Sequence, residues 1–170
     1  SAVTGRGLEE LSRAMAEDHA SMRHPEIDYD ADGLQDAMGS LSELYYQYHA
    51  TVCCDDFDGT AYLETMAKEV QAAVLGAGYE IPHLKLRAWS QEGDFGKVDL
   101  LGRDRPIEIT RRFEKPCTEV AVVLNANAAC PPEFLEQAVT DAADKVSKNF
   151  QLELFVFKKQ CFSMGGEEEE

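Results

Sequence analysis

Apolar residues recur at two different rhythms along this chain. Leu8, Leu11 and Met15 are spaced three and four apart and share one helical face. That spacing predicts an opening helix from about Leu8 to Met22. His24-Pro25 ends it, because the residue before a proline is pushed out of the helical region. An acidic, glycine-punctuated segment follows from residue 24 to residue 40, with room for a short helix around Leu34 to Met38. From Leu41 the texture becomes an alternation of strands and helices.

Tyr45 to Cys54 alternates as a strand. One face carries Tyr46, Tyr48, Ala50 and Val52, the other Tyr45, Gln47, His49, Thr51 and Cys53. Asp58-Gly59-Thr60 starts a helix whose stripe is Leu63, Met66, Val70 and Val74, with Gly76 and Gly78 as its stop. Strands are predicted over Pro82 to Ser90 and Lys97 to Gly102, joined by the turn Gln91 to Gly96, and another over Ile107 to Phe113. Glu119 to Asn125 is almost continuously apolar and reads as a buried strand. Pro131-Pro132 opens a helix to Asn149 with Leu135, Ala138, Val139, Ala142 and Val146 as its stripe. Leu152 to Phe157 closes the set. The order β-α-β-β-(β)-α-β predicts an α+β fold, a two-layer sandwich of ferredoxin-like type with both helices on one sheet face. The other face carries His83, Lys85, Arg87 and Trp89, either open to solvent or docked on a partner domain.

Composition narrows the function. Hydrophobic residues at 44% fit a folded globule. A net charge of −16, from 32 acidic and 16 basic residues, argues against nonspecific binding to nucleic acid or to an anionic membrane. No apolar run approaches the ~18 residues of a membrane-spanning helix, and the polar N-terminus does not resemble a signal peptide. Five cysteines, an odd number, do not look like a disulfide framework and favour a reducing cytoplasm. Glu167 to Glu170, after Gly165-Gly166, reads as a solvated acidic tail over 165–170.

The N-terminus carries a motif. Ser1-Ala2-Val3-Thr4-Gly5-Arg6-Gly7-Leu8 resembles the last nucleotide-contacting loop of a P-loop GTPase, with the final helix of that domain behind it. The resemblance implies that Ser1, Ala2 and Val3 line a guanine pocket when the rest of such a domain is present. No G-x-x-x-x-G-K-[ST] or Asn-Lys-x-Asp stretch occurs; Gly96-Lys97-Val98-Asp99 is nearest to the second and lacks the Asn. An ordinary glycine-rich turn before a helix is the alternative.

Three further stretches extend the likeness: His24-Pro25-Glu26-Ile27-Asp28-Tyr29-Asp30, Pro82-His83-Leu84-Lys85-Leu86, and Val123-Leu124-Asn125-Ala126-Asn127. Together with the opening loop they resemble the C-terminal portion of the CobW family of P-loop GTPases, which act as metallochaperones or metal-insertion factors in processes such as cobalamin synthesis. The resemblance divides the chain into a GTPase remnant (1–23), an acidic linker (24–40), a C-terminal α+β domain (41–164) and the tail. It implies GTP and magnesium in a full-length parent, and the parent's own GTPase domain and a client metalloprotein as partners. The family's Cys-x-Cys-Cys motif is absent, and Phe155 to Met164 stands where many members have Pro-x-Pro-Thr-His-Arg. A free-standing ferredoxin-like module that binds a protein or small ligand is the alternative; oligomeric state is left open.

His49, Cys53, Cys54 and His83 are the candidate metal ligands, since imidazole and thiolate suit zinc or cobalt. His49 and Cys53 share a strand face but lie ~13 Å apart at ~3.3 Å per residue. One ion cannot bridge them on a regular strand, and small buried thiols are the plainer reading. Asp28-Tyr29-Asp30-Ala31-Asp32-Gly33 opens like a calcium loop. Its eighth and twelfth positions, however, are Gln35 and Gly39, without the closing Glu. A Cys54–His49 nucleophile is disfavoured because Asp55, Asp56 and Asp58 would raise the thiol pKa.

Overall fold

The computed structural model describes residues 4–16, 40–53, 56–102 and 105–164. The chain divides into two compact units, Ser1–Asp30 and Ala31–Glu170. In the first, helix α1 spans Leu8–Ala16. The turn before it needs Gly5 and Gly7, both at positive φ (72° and 83°). Leu8 and Leu11 are 47% and 54% exposed. The rest of the expected opening helix, and the expected turn of helix near Leu34, lie outside the described residues.

The second unit is α+β. Strand β1 spans Ser42–Val52, helix α2 Gly59–Gly76, β2 His83–Ser90 and β3 Phe95–Leu100. Strand β4 spans Glu108–Arg111, β5 Glu119–Ala128, helix α3 Pro132–Asn149 and β6 Leu152–Ser163. The six strands form one sheet in the order β4-β3-β2-β5-β1-β6. Every neighbouring pair is antiparallel. It follows that β1 and β2 run parallel with β5 between them, and β5 and β6 run parallel with β1 between them. Each strand–helix–strand crossover therefore steps over one strand. No helix among the described residues is long and apolar enough to cross a membrane.

Local chemistry explains the helix limits. The Asp58 carboxylate accepts from the Thr60 and Ala61 amides at 2.8 and 3.0 Å, satisfying two of the N–H groups that a helix start leaves free. Helix α2 stops at Gly76, and Gly78 takes φ +84° just beyond. Helix α3 begins on a proline, which loses nothing by lacking an N–H there.

Both predicted stripes are buried: Leu63, Met66, Val70 and Val74 on α2, and Leu135, Ala138, Val139, Ala142 and Val146 on α3. They meet Leu44, Tyr46, Tyr48, Leu84, Leu86, Val122 and Leu124 in one core on a single face of the sheet. Each fully buried Leu or Val there contributes about 1.5–3 kcal/mol relative to exposure. Three hydroxyls in the core satisfy one another: Tyr62 Oη donates to Tyr48 Oη at 3.0 Å and lies 3.1 Å from Ser147 Oγ. This chain of hydroxyls ties β1, α2 and α3 together.

Strand limits differ from expectation at several points. Strand β1 starts earlier, at Ser42, and ends at Val52, so Cys53 stands exposed after it. Strand β5 runs on to Ala128 and buries alternate residues only. Its continuous apolarity reflects Ala121 and Val123 at the centre of the uncovered face, not helices on both sides. Strand β6 continues six residues past Phe157 to Ser163, because the residues on both sides of Phe157 pair along β1 and Phe157 itself is the bulge opposite Gln47/Tyr48.

Candidate functional site

The sheet face away from α2 and α3 brings together side chains from all six strands of the second unit. Its side chains come from the alternate positions of each strand, so pairing register sets which residues are neighbours. One row runs Phe95, Trp89, Ala121, His49 and Phe155 across β3, β2, β5, β1 and β6. The next runs Lys97, Arg87, Val123, Gln47 and Lys158, and a third runs Asp99, Lys85, Asn125, Tyr45 and Gln160.

Aromatic rings stand at both ends of the first row. Trp89, the single tryptophan of the chain, and Phe95 are each 40% exposed, while Phe155 and Phe157 are 55% and 64% exposed. The Arg111 guanidinium lies over the Phe95 ring at 5.1 Å. The His49 ring meets Phe157 edge-on at 4.6 Å. Between Trp89 and His49 in this row, Ala121 offers only a methyl group.

The second and third rows carry the charge. Lys97 pairs with Asp99 at 2.8 Å. Arg111 pairs with Glu114 at 2.9 Å. Lys158 sits over the Tyr45 ring at 5.4 Å. Among the described residues, Lys85 and Arg87 have no carboxylate within ion-pair distance. Asp99 is 4% exposed; Thr110 Oγ1 donates to its Oδ2 at 2.9 Å and its Oδ1 has no partner. His83 has its pKa lowered, first by burial and then by the Lys85 charge beside it, with Asp99 and Glu43 acting in the opposite sense.

The expected face residues His83, Lys85, Arg87 and Trp89 thus do share one face of β2, alternating with buried Leu84 and Leu86. The expected metal ligands do not converge. His49 is opposite Ala121 on β5 and His83 is opposite Asn127, six residues further along that strand. That separation is ~20 Å at ~3.3 Å per residue. His49 Nδ1 is instead 2.6 Å from Glu119 Oε1, and Gln91 Nε2 donates to the other oxygen of that carboxylate. Cys53 lies past the end of the strand. Among the described residues no group of three or more His, Cys, Asp and Glu could hold a metal ion. Ser1, Ala2, Val3, Cys54 and the acidic Asp28, Asp30 and Asp32 lie outside the described residues.

Sequence reasoning missed Phe95, Phe155, Phe157, Lys97 and Lys158 as members of this face. The alternation of Phe155 and Phe157 with Val156 was the available signal for the β6 edge.

No protein-family model matches the sequence, and no curated protein matches it. Among solved structures, a hydantoinase/carbamoylase family amidase from Burkholderia ambifaria is similar at 14% identity and a TM-score of 0.41. The likeness covers 72% of this chain and 29% of that one, so this chain spans less than a third of the amidase. Similarity at that level determines neither fold nor activity.

Proposed function

We propose that this chain is an interaction domain that docks a protein partner on the open face of its sheet. The observation that carries the proposal is the uncovered face itself. It presents the sole tryptophan and two cations, Lys85 and Arg87, that have no carboxylate within ion-pair distance among the described residues, on a chain of net charge −16. Exposed Trp and Arg on a flat, rigid element are what interface anchors are made of. A ferredoxin-like reading of the unit is supported by the strand order, in which β2-β5-β1-β6 would be the interleaved four-strand core and β3–β4 an extension at the β2 edge.

The opening loop and the three motif stretches support a more specific reading. In it the domain belongs to a CobW-like GTP-dependent metallochaperone, and the face engages the GTPase domain or a client metalloprotein according to nucleotide state. GTP, magnesium and any zinc or cobalt would then belong to the parent protein. A free-standing binding module uses the same face, and the closed core within Ala31–Glu170 favours it.

The reading frame upstream of Ser1 separates these two. A P-loop and an Asn-Lys-x-Asp motif there support the GTPase parent. In such a parent, Trp89 emission should differ between GTP and GDP, and Arg87→Glu should abolish the difference. Emission indifferent to nucleotide would remove the coupling, and GTP turnover by the 170-residue chain alone would overturn the assignment.

A further inference from the structure

The open face carries enough geometry to specify what it binds. Resting on the docking role proposed above, we infer that its ligand is an extended acidic polypeptide segment, with an apolar residue midway between two carboxylates.

Charge gives the sign of the partner. Along the second and third rows, extended to β4, five basic residues, Lys85, Arg87, Lys97, Arg111 and Lys158, stand against two acids, Asp99 and Glu108, while Glu43, Glu119 and Glu153 lie beyond those rows. Acidic residues outnumber basic ones two to one in the chain as a whole, 32 to 16. At the end of the face bearing Glu119, the carboxylate is already engaged by His49 and Gln91. Lys85 and Arg87 are left without a carboxylate of their own among the described residues. An acidic ligand supplies what the fold does not.

Spacing gives its form. Arg87 and Lys158 lie in one row with Val123 and Gln47 between them. Three strand spacings of about 4.8 Å separate them by ~14 Å. A polypeptide lying along that row in extended conformation advances about 3.4 Å per residue, so residues four apart are also ~14 Å apart. Side chains alternate in an extended chain, and the first, third and fifth residues face the sheet together. Carboxylates at the first and fifth positions meet Arg87 and Lys158. The third side chain stands midway, between Val123 and Gln47, beside the neighbouring row in which Ala121 is flanked by Trp89 and His49. The ligand pattern is acid-x-aromatic-x-acid.

Single-stranded RNA also stacks on aromatic residues of open sheets. Here the same face carries Glu43, Asp99, Glu108, Glu119 and Glu153, so a ligand with two carboxylates placed over the bases meets fewer like charges than a continuous phosphodiester backbone.

The probe is the peptide acetyl-Ser-Glu-Ser-Phe-Ser-Glu-Ser-amide, titrated into the full 170-residue chain. Readouts are Trp89 emission and backbone amide NMR shifts. Saturable shifts at residues 85–89 and 121–123 are expected. Binding should weaken about tenfold when both peptide glutamates become lysines, and about fivefold in Arg87→Glu, whose side chain is exposed and whose spectrum reports the intact fold. Equal binding of the lysine peptide, or shifts confined to α2 and α3, would overturn the inference. Tighter binding of oligouridylate at the same residues would assign the face to nucleic acid instead. A concentration-dependent dimer broken by Arg87→Glu would assign it to a second copy. Peptide binding without a nucleotide response of Trp89 in the parent would sink only the GTPase coupling. A nucleotide response without peptide binding would sink only the acidic-segment ligand.

Discussion

Gly96 on β3 is a position where one methyl group should be felt across three elements. A Cβ there would stand 2.6 Å from Cε2 and 2.8 Å from Cδ2 of Phe113, and 3.1 Å from Cδ1 of Leu63. Carbon atoms normally pack at about 3.5–4.0 Å, so the ring must retreat by about 1 Å. It has little room, because the same ring lies over Gly59 at the start of α2, where a Cβ would meet it at 2.8 Å. Its backbone is held as well: the Phe113 N–H donates to Thr60 Oγ1 at 2.9 Å. Overpacking of this kind costs about 1–3 kcal/mol, and replacing a strand glycine returns about 0.5–1 kcal/mol of chain entropy. Gly96→Ala should therefore destabilise by roughly 0.5–2 kcal/mol. Urea unfolding followed by Trp89 emission measures it; with a slope near 2 kcal/mol/M the midpoint drops by about 0.3–1 M. In a Phe113→Leu background the smaller side chain leaves room for the methyl, and the pair should couple by about 1 kcal/mol. A Gly96→Ala protein as stable as the parent, or a strictly additive pair, would refute the packing argument.

The buried hydroxyl chain makes a second prediction. Tyr62→Phe orphans both Tyr48 and Ser147 and should cost about 2 kcal/mol, whereas Tyr48→Phe leaves the Tyr62–Ser147 contact and should cost about 1 kcal/mol or less. Denaturant melts that reverse this order would break the assignment. Alkaline pH should unfold the protein. Burial, reinforced by Asp144 and Tyr62, pushes the Tyr46 phenol up to about 12, and burial raises Tyr48 well above its usual value. The folded state holds these protons more tightly, so stability is complete below pH ~10 and falls as pH rises toward 12; thermal melts showing no loss in that window would contradict it. Among the described thiols, exposed Cys53 should react first with a disulfide reagent. Cys117 and Cys161 should lag, their thiols pushed up to about 11 chiefly by burial. Cys53→Ser should remove one fast equivalent, and an unchanged fast phase would count against the ordering.

The two helices were legible in the sequence because each element of their signal is local. Asp58 and Pro132 mark the starts, and the stripes repeat within four residues. Strand limits were less so, since a strand ends where its neighbour ends. Lys158-Lys159-Gln160 carries no apolar rhythm, yet pairing with β1 holds it in β6. The candidate site divides along the same line. His83 to Trp89 could be placed on one face from alternation alone. That Trp89 and His49 flank Ala121 depends on the register of three strands drawn from residues 42 to 128, and no short motif encodes that. The same non-locality separates His49 from His83. Imidazoles that look neighbourly in a strand list are set six residues apart by the register of β5, and His49 satisfies its ring on a carboxylate seventy positions away. Register likewise sets Arg87 and Lys158 in one row with no carboxylate within ion-pair distance of either among the described residues. For this sheet, register rather than composition creates the charge pattern that a partner would read.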